Sequence, residues 1–440
     1  LATASDSLVT GATTRSSANV NITGDRFYGY TNQAYLVLNT TGNLNVQPFT
    51  GTSFNSSGVT WYATYGAILN SVTVGQDVGA ATMNGFVTFY GGPATVANAT
   101  RIYGSYVNVG SITGSNSATS KVLVKASNYI YVPTSAVIKT NSSPIVFWSD
   151  SDQATAPGGY QVIDQSAVLS TKSSTTLPST RAAMLADNTG ADIILGGGAA
   201  NGDGSAPAGS AYSYNSAAWG IALGINDNIY SGGGKIIMRA KTNTTSTWYA
   251  AIGVSYGVRI NAGAGTIEML GDASTANAAS AHGIELHYGA YTGNNVSIQA
   301  AGGDANTPAI KMTGYAGSLN SAGINDYYAE TSDDVLIESL GAGGVSLVGT
   351  TNTVGYYGVS LAGTSILSRS GAITIDGGAR GVSLGNGTGY AAATTLGDCN
   401  VGGCSGYALG YDANARSSAD ITIIGDRYYT YGNNAAYLRI

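Results

Sequence analysis

One four-residue pattern dominates the chain from about residue 220 onward: a small residue, usually Gly, then a β-branched or small aliphatic residue, any residue, and Ile, Leu or Met. It stands at Gly220-Ile221-Ala222-Leu223, Gly257-Val258-Arg259-Ile260, Gly283-Ile284-Glu285-Leu286 and Ala309-Ile310-Lys311-Met312. It returns at Gly344-Val345-Ser346-Leu347, Gly358-Val359-Ser360-Leu361, Gly371-Ala372-Ile373-Thr374-Ile375 and Gly381-Val382-Ser383-Leu384. The second and fourth residues point one way and the third points the other, the period of two of a strand with one buried face. Third residues are Ala, Arg, Glu, Lys and Ser, as an outward face requires. Strands this short do not make a stable sheet alone, but stacked coils bury a continuous apolar column.

Spacings of 26 residues from 257 to 283 and from 283 to 309, and of 23 from 358 to 381, read as coil lengths. Such periods signal a solenoid. The expected fold is therefore all-β, a right-handed parallel β-helix running continuously through residues 1–440. Its corners fall at Gly232-Gly233-Gly234, Gly263-Ala264-Gly265 and Gly377-Gly378, where glycine permits positive φ. A β-sandwich array would instead want hairpin turns and longer alternating strands.

Composition excludes other classes. With 18 Lys+Arg against 24 Asp+Glu, a net charge of −6 and only 10% charged residues, the chain lacks the basic clusters that replace phosphate counterions, so no nucleic-acid partner is expected. At 43% apolar it can bury a core and is not a disordered chain. Its 63 glycines follow no collagen triplet, and eight prolines are too few for one. No apolar run of about eighteen residues marks a membrane span, and no basic-then-apolar opening marks a signal peptide. A chain opening on Leu1-Ala2-Thr3 reads as a piece of something longer. Thirty Tyr against six Phe suit surfaces that are buried on one side and wet on the other.

The two ends carry the same sequence. Arg15-Ser16-Ser17-Ala18-Asn19-Val20-Asn21-Ile22 lies over Arg416-Ser417-Ser418-Ala419-Asp420-Ile421-Thr422-Ile423, and Gly24-Asp25-Arg26-Phe27-Tyr28 over Gly425-Asp426-Arg427-Tyr428-Tyr429. Twelve of the twenty pairs from 15 to 34 are identical at an offset of 401. The expected organisation is one full unit, 15–415, followed by the start of the next, 416–440, within a tandem array whose neighbours are other units in the same or stacked chains. At about 24 residues per coil, one unit would hold roughly 17 coils and span about 80 Å.

The order of segments in the first half carries a resemblance. Thr40-Thr41-Gly42-Asn43-Leu44 leads to Gly51-Thr52-Ser53-Phe54, Val72-Thr73-Val74-Gly75 and Gly85-Phe86-Val87-Thr88-Phe89-Tyr90-Gly91-Gly92. Lys121-Val122-Leu123-Val124-Lys125-Ala126-Ser127, Ile138-Lys139-Thr140-Asn141 and Pro144-Ile145-Val146-Phe147-Trp148-Ser149-Asp150-Ser151-Asp152 follow. This series resembles the repeats of large bacterial exoproteins similar to filamentous haemagglutinin. The resemblance covers most of the chain, most clearly 15–165. It implies a β-helix exported by the two-partner route to the cell surface, acting in adhesion or matrix building; the secretion and effector domains of that family are absent from this sequence.

Candidate chemistry is sparse. His282 and His287 flank one strand motif at an odd spacing, which puts them on opposite faces, with no cysteine near enough to complete a metal site. Asp333 and Asp334, with Glu330 and Glu338 close by, form the best carboxylate group for glycan cleavage, although adjacent residues fit a turn better than a shared face. Asp150, Asp152 and Asp164 offer oxygen ligands for Ca²⁺ but lack the dense glycine–aspartate repeat of calcium-binding rolls, so an acidic corner is favoured. Cys399 and Cys404 enclose four residues, two of them glycine, and form a candidate local disulfide, bonded or not. Tyr212, Tyr214, Tyr356, Tyr357, Tyr428, Tyr429 and Tyr431 are candidates for fibre bundling or glycan stacking, against ordinary stacking between coils. The resulting expectation is a non-enzymatic, cofactor-free extracellular filament or adhesin segment, giving cell-surface or biofilm-matrix fibres. The alternative is a glycan-cleaving or glycan-binding β-helix of the tailspike kind.

Overall fold

The structure, a computed structural model, describes residues 16–28, 40–55, 58–62, 68–90, 94–154, 158–214, 219–247, 249–288, 295–317, 320–326, 335–385, 394–396, 419–430 and 438–439. Each coil visits three sheets in turn. Ile310–Ala316 lies in the first, Ile324–Asp326 in the second and Val335–Ser339 in the third, after which Val345–Thr351 returns to the first beside Ile310–Ala316. Along the main path of all three sheets the coil-to-coil pairing is parallel, so the chain is a parallel β-helix; the short segments Gly158–Gly159 and Pro207–Gly209 add local antiparallel pairs at the first sheet.

Register is kept from coil to coil, which turns the pattern of the sequence into columns. Ile193, Ile236, Ile267, Ile310, Val345, Ile373 and Ile421 are successive partners in the first sheet. Leu195, Met238, Met269, Met312, Leu347, Ile375 and Ile423 form a second column two residues on. These side chains join those of the other two sheets in one long apolar core. Stacking like on like means that each inner residue of these columns is covered by its own kind from both sides, while Ile421 and Ile423 at the end are only partly buried.

Coil length departs from the expected 24 residues. The step from Thr100 to Val122 takes 22 residues, and that from Ile145 to Ile193 takes 48. Twelve in-register steps separate Val20 from Ile421. At about 4.8 Å per step that distance is about 58 Å, not 80. The error has a definite source. Gly257 precedes a third-sheet strand (Arg259–Asn261), Gly283 a second-sheet strand (Ile284–Tyr288) and Ala309 a first-sheet strand (Ile310–Ala316), so the 26-residue spacings compare different sheets. Only the 23-residue spacing is a coil, because Val359 and Val382 are direct partners.

The corners are repeated too. Ser135, Ser166 and Asn226 all take φ of 61°, and the amide of each donates to the carbonyl one residue before its counterpart in the next coil, at 2.9, 2.7 and 3.1 Å. Gly257 continues this left-handed stack with φ of 74°. Other glycines answer to crowding rather than to φ. A Cβ on Gly314 would lie 1.9 Å from the Gly323 carbonyl oxygen, and one on its register partner Gly349 would lie 2.0 Å from that of Gly358. Here the first and second sheets meet backbone to backbone. At the exit of the third sheet, buried hydroxyls close the turns: Ser231 donates to the Gly234 carbonyl and Ser368 to that of Gly371, each at 2.6 Å. Ser231 and Ser368 thus serve as turn-closing residues.

The long coil after Ile145 carries the α-helix found among the described residues, Arg181–Ala186. Thr180 caps it by accepting from the Ala183 amide. Met184, fully buried, packs with Ala301 and Leu340, and the Arg181 guanidinium donates to the Leu340 carbonyl at 2.9 and 3.1 Å. Lys172 pairs with Asp187 at 2.7 Å, and Ala264 donates to the Asp187 carbonyl. Val168–Ser170 and the strand ending beside Leu340 are four steps apart in the third sheet, so this segment straps five coils together.

Candidate interaction surface

Aromatic rings form a column along the solenoid, exposed at Phe86 and half-buried at the tyrosines that follow it. Phe86, Tyr106, Tyr129 and Tyr160 follow one another at the entrance to the second sheet in four successive coils. Their centroids are 4.5, 4.9 and 5.3 Å apart, the first and last pairs stacked and the middle one edge-on. Burial raises the phenol pKa of Tyr160. Because the rings use their faces on each other, they offer mainly edges outward, and a sugar platform needs open faces. An amide column runs along another corner, where the third sheet leads back to the first: Asn98 donates to Asn70 at 2.5 Å and Asn70 to Asn43 at 2.7 Å.

The tyrosines singled out in the sequence behave likewise where they are described. Tyr212 and Tyr214 meet edge-on, with Lys241 5.7 Å above Tyr212. Arg427 lies 5.1 Å over the Tyr357 ring and donates to the Tyr356 carbonyl. Tyr428 is half exposed at the end of the second sheet, while the Tyr429 side chain and Tyr431 lie outside the described residues. Lys241 and Arg427 are thus held by local aromatic and carbonyl partners. Lys125 is a further case, 2.7 Å from Asp77 and 4.5 Å from the Trp148 ring centroid.

The acidic residues divide into groups that do not converge. Asp150 is buried, which, with Asp152 nearby, pushes its carboxyl up to about 7. Asp152 accepts from the Thr82 hydroxyl at 2.7 Å. Asp164 belongs to another corner, accepting from Tyr131 at 2.6 Å and Thr134 at 2.8 Å; burial alone would raise its pKa, but these bonds hold it below the usual range. Among the described residues no three His, Cys, Asp or Glu side chains gather as a metal site.

A sealed polar cluster sits on the second and third sheets. His282 is buried, with Nδ1 accepting from the Ala322 amide at 3.0 Å and Nε2 3.4 Å from the Asn325 amide nitrogen. Burial lowers its pKa to about 4. Glu285, three residues on and 4% exposed, has one carboxylate oxygen without a hydrogen-bond partner. Burial first, and the Asp326 charge second, push its carboxyl up to about 8. Asp326 accepts from the Thr364 hydroxyl. Glu338, the one member of the proposed glycan-cleaving group within the described residues, is fully buried and accepts from Gln299 at 2.7 Å. Asp333, Asp334 and Glu330 lie outside those residues, as do Cys399, Cys404 and the His287 side chain. Sequence periodicity placed Glu285 on an outward, solvated face. Lys311, at the same place in the same motif, is indeed exposed, and no local signal separates the two.

A shallow cleft lined by Gln76, Asn84, Tyr103 and Phe54 holds no carboxylate. The ends of the solenoid differ from its sides. Val20–Thr23 opens the first sheet and Ile421–Ile424 closes it; Phe27–Tyr28 opens the second and Tyr428–Thr430 closes it. Both pairs begin at positions 401 apart, the offset of the sequence repeat. Val20, Ile22, Ile421 and Ile423 are only partly buried, whereas their neighbours Leu44, Val46, Ile373 and Ile375 are at most 1% exposed. The core therefore shows an incompletely covered apolar plate at each end, made of equivalent residues.

These features define a parallel β-helix with side columns closed on themselves and two matching ends. No family model, curated protein or solved structure matches the chain. No helix among the described residues is long and apolar enough to cross a membrane.

Proposed function

We propose that this chain is a structural segment of an extracellular bacterial filament or adhesin, one unit of a longer β-solenoid that builds cell-surface or matrix fibres. The carrying observation is the pair of equivalent end coils, which open and close the same sheets and leave matching apolar plates. A fold whose incompletely covered core faces along its axis is suited to continuation along that axis. Unbroken backbone ladders and the strap at Arg181–Ala186 suit a load-bearing role. The resemblance of 15–165 to filamentous haemagglutinin repeats supplies the surface location and the export route. Low charge density opposes side-by-side contact only weakly.

The test is the native polypeptide itself, boiled in denaturant and reductant and sized, with the undenatured material imaged by electron microscopy. Unbranched fibres on the cell surface are expected, built either from one polypeptide several times 44.3 kDa or from end-to-end copies of a chain near that mass. A native chain near that mass that stays monomeric and compact in solution would overturn the proposal.

A further inference from the structure

The end coil occurs twice in one molecule, and each copy displays a different side in contact. At residues 16–28 it is seen with its following neighbour: Val20, Asn21, Ile22 and Thr23 pair with Leu44, Asn45, Val46 and Gln47. Asp25 accepts from the Phe49 and Thr50 amides at 2.8 and 2.7 Å and from the Thr50 hydroxyl, and Asn19 accepts from the Asn43 amide at 3.0 Å. At residues 419–430 it is seen with its preceding neighbour: Ile421, Thr422, Ile423 and Ile424 pair with Ile373, Thr374, Ile375 and Asp376. The structure thus contains both halves of a joint, but on opposite ends of the solenoid.

We propose that two copies of this chain join end to end by coil exchange, the coil at 419–430 of one copy taking the place of the coil at 16–28 in the next. Ile421 to Ile424 then pair with Leu44 to Gln47 of the second copy. Asp426, the equivalent of Asp25, caps the turn at Phe49 and Thr50, and Asp420, the equivalent of Asn19, accepts from Asn43. The exchange covers the partly exposed Ile421 and Ile423 with Leu44 and Val46, releases the equivalent Val20 and Ile22 of the second copy from them, and makes across the joint only steps that this fold already makes. Simple stacking of the last coil on the first would instead set two like coils side by side, a neighbour pair that occurs nowhere among the described residues. Exchange of an identical element between copies is a low-cost route to association. This inference rests on the filament reading above and names its partner and register.

Intermolecular disulfides test it in the 440-residue chain, with Cys399→Ser and Cys404→Ser as background. Chains carrying Thr422→Cys are mixed under mild oxidation with chains carrying Asn45→Cys or, separately, Asn21→Cys. Within one chain, positions 422 and 45 are eleven steps, about 53 Å, apart, so they cannot bridge. A covalent heterodimer with Asn45→Cys, and none with Asn21→Cys, is expected. A heterodimer with Asn21→Cys instead means plain stacking and overturns the exchange, as does no heterodimer with either. Ile424→Cys with Gln47→Cys, on the same rung, repeats the test should the first pair fold poorly. Fibres seen without the Asn45 cross-link would sink this joint and leave the filament standing, whereas neither fibres nor cross-link would remove both.

Discussion

Replacing Glu285 by Gln should stabilise the protein, and more so as pH rises. The carboxyl of Glu285 is raised from 4.5 to about 8 by burial and by Asp326, and one of its oxygens has no partner. An acid whose folded pKa is raised binds its proton more tightly when folded, so its penalty is absent below the unfolded pKa and grows until pH passes the folded value. At 1.36 kcal/mol per unit, the penalty reaches about 3 kcal/mol at pH 7 and about 5 kcal/mol by pH 9, both upper limits because local opening admits water. Gln keeps the shape and removes the ionisation. His282 works in the opposite sense between about 4 and its ordinary 6.5, since its lowered pKa makes stability rise with pH there, and comparison above pH 6.5 avoids that window. The assay is thermal and urea unfolding of wild type and Glu285→Gln from pH 6.5 to 9, with hydrogen exchange read at Ile284–Tyr288. The variant should gain stability relative to wild type by about 2 kcal/mol across that range. Parallel pH profiles for the two proteins would refute the reasoning.

Three further outcomes follow from the packing. Met184→Ala should cost about 2–5 kcal/mol and speed hydrogen exchange at Arg259–Asn261 and Val335–Ser339, the strands that the helical strap spans; a change confined to residues 181–186 would mean that the strap holds nothing. Gly314→Ala should destabilise more than a typical surface change because its Cβ meets the Gly323 carbonyl at 1.9 Å, with circular dichroism melts as the readout and an unchanged melt as the contrary result. A chelator should leave the melting temperature unchanged, since Asp164 lies apart from Asp150 and Asp152; a drop would place a structural cation at that acidic corner.

Much of the fold was legible because the strand motif is a direct image of the packing. A residue such as Ile310 is apolar because Ile267 and Val345 sit on either side of it, and Lys311 is polar because it faces water. Coil length was not legible, because all three sheets use one motif and nothing local tells Gly257 from Gly283. The strap was missed for a different reason: six residues, Arg-Ala-Ala-Met-Leu-Ala, are too few to show helical periodicity, and Thr180 was the one signal, a capping residue. The candidate chemistry was least legible. Burial of Glu285 and Glu338 depends on what covers the outer faces of the sheets, a long-range property that alternation along one strand does not encode. The proposed carboxylate pair Asp333 and Asp334 and the cysteine pair lie outside the described residues.

The most direct test of the filament account is diffraction from native, aligned material. Coils about 4.8 Å apart, continued through exchanged ends, predict a strong meridional reflection at that spacing together with an axial period near 58 Å, twelve steps of the helix. Particles of finite length with no such axial period would contradict it.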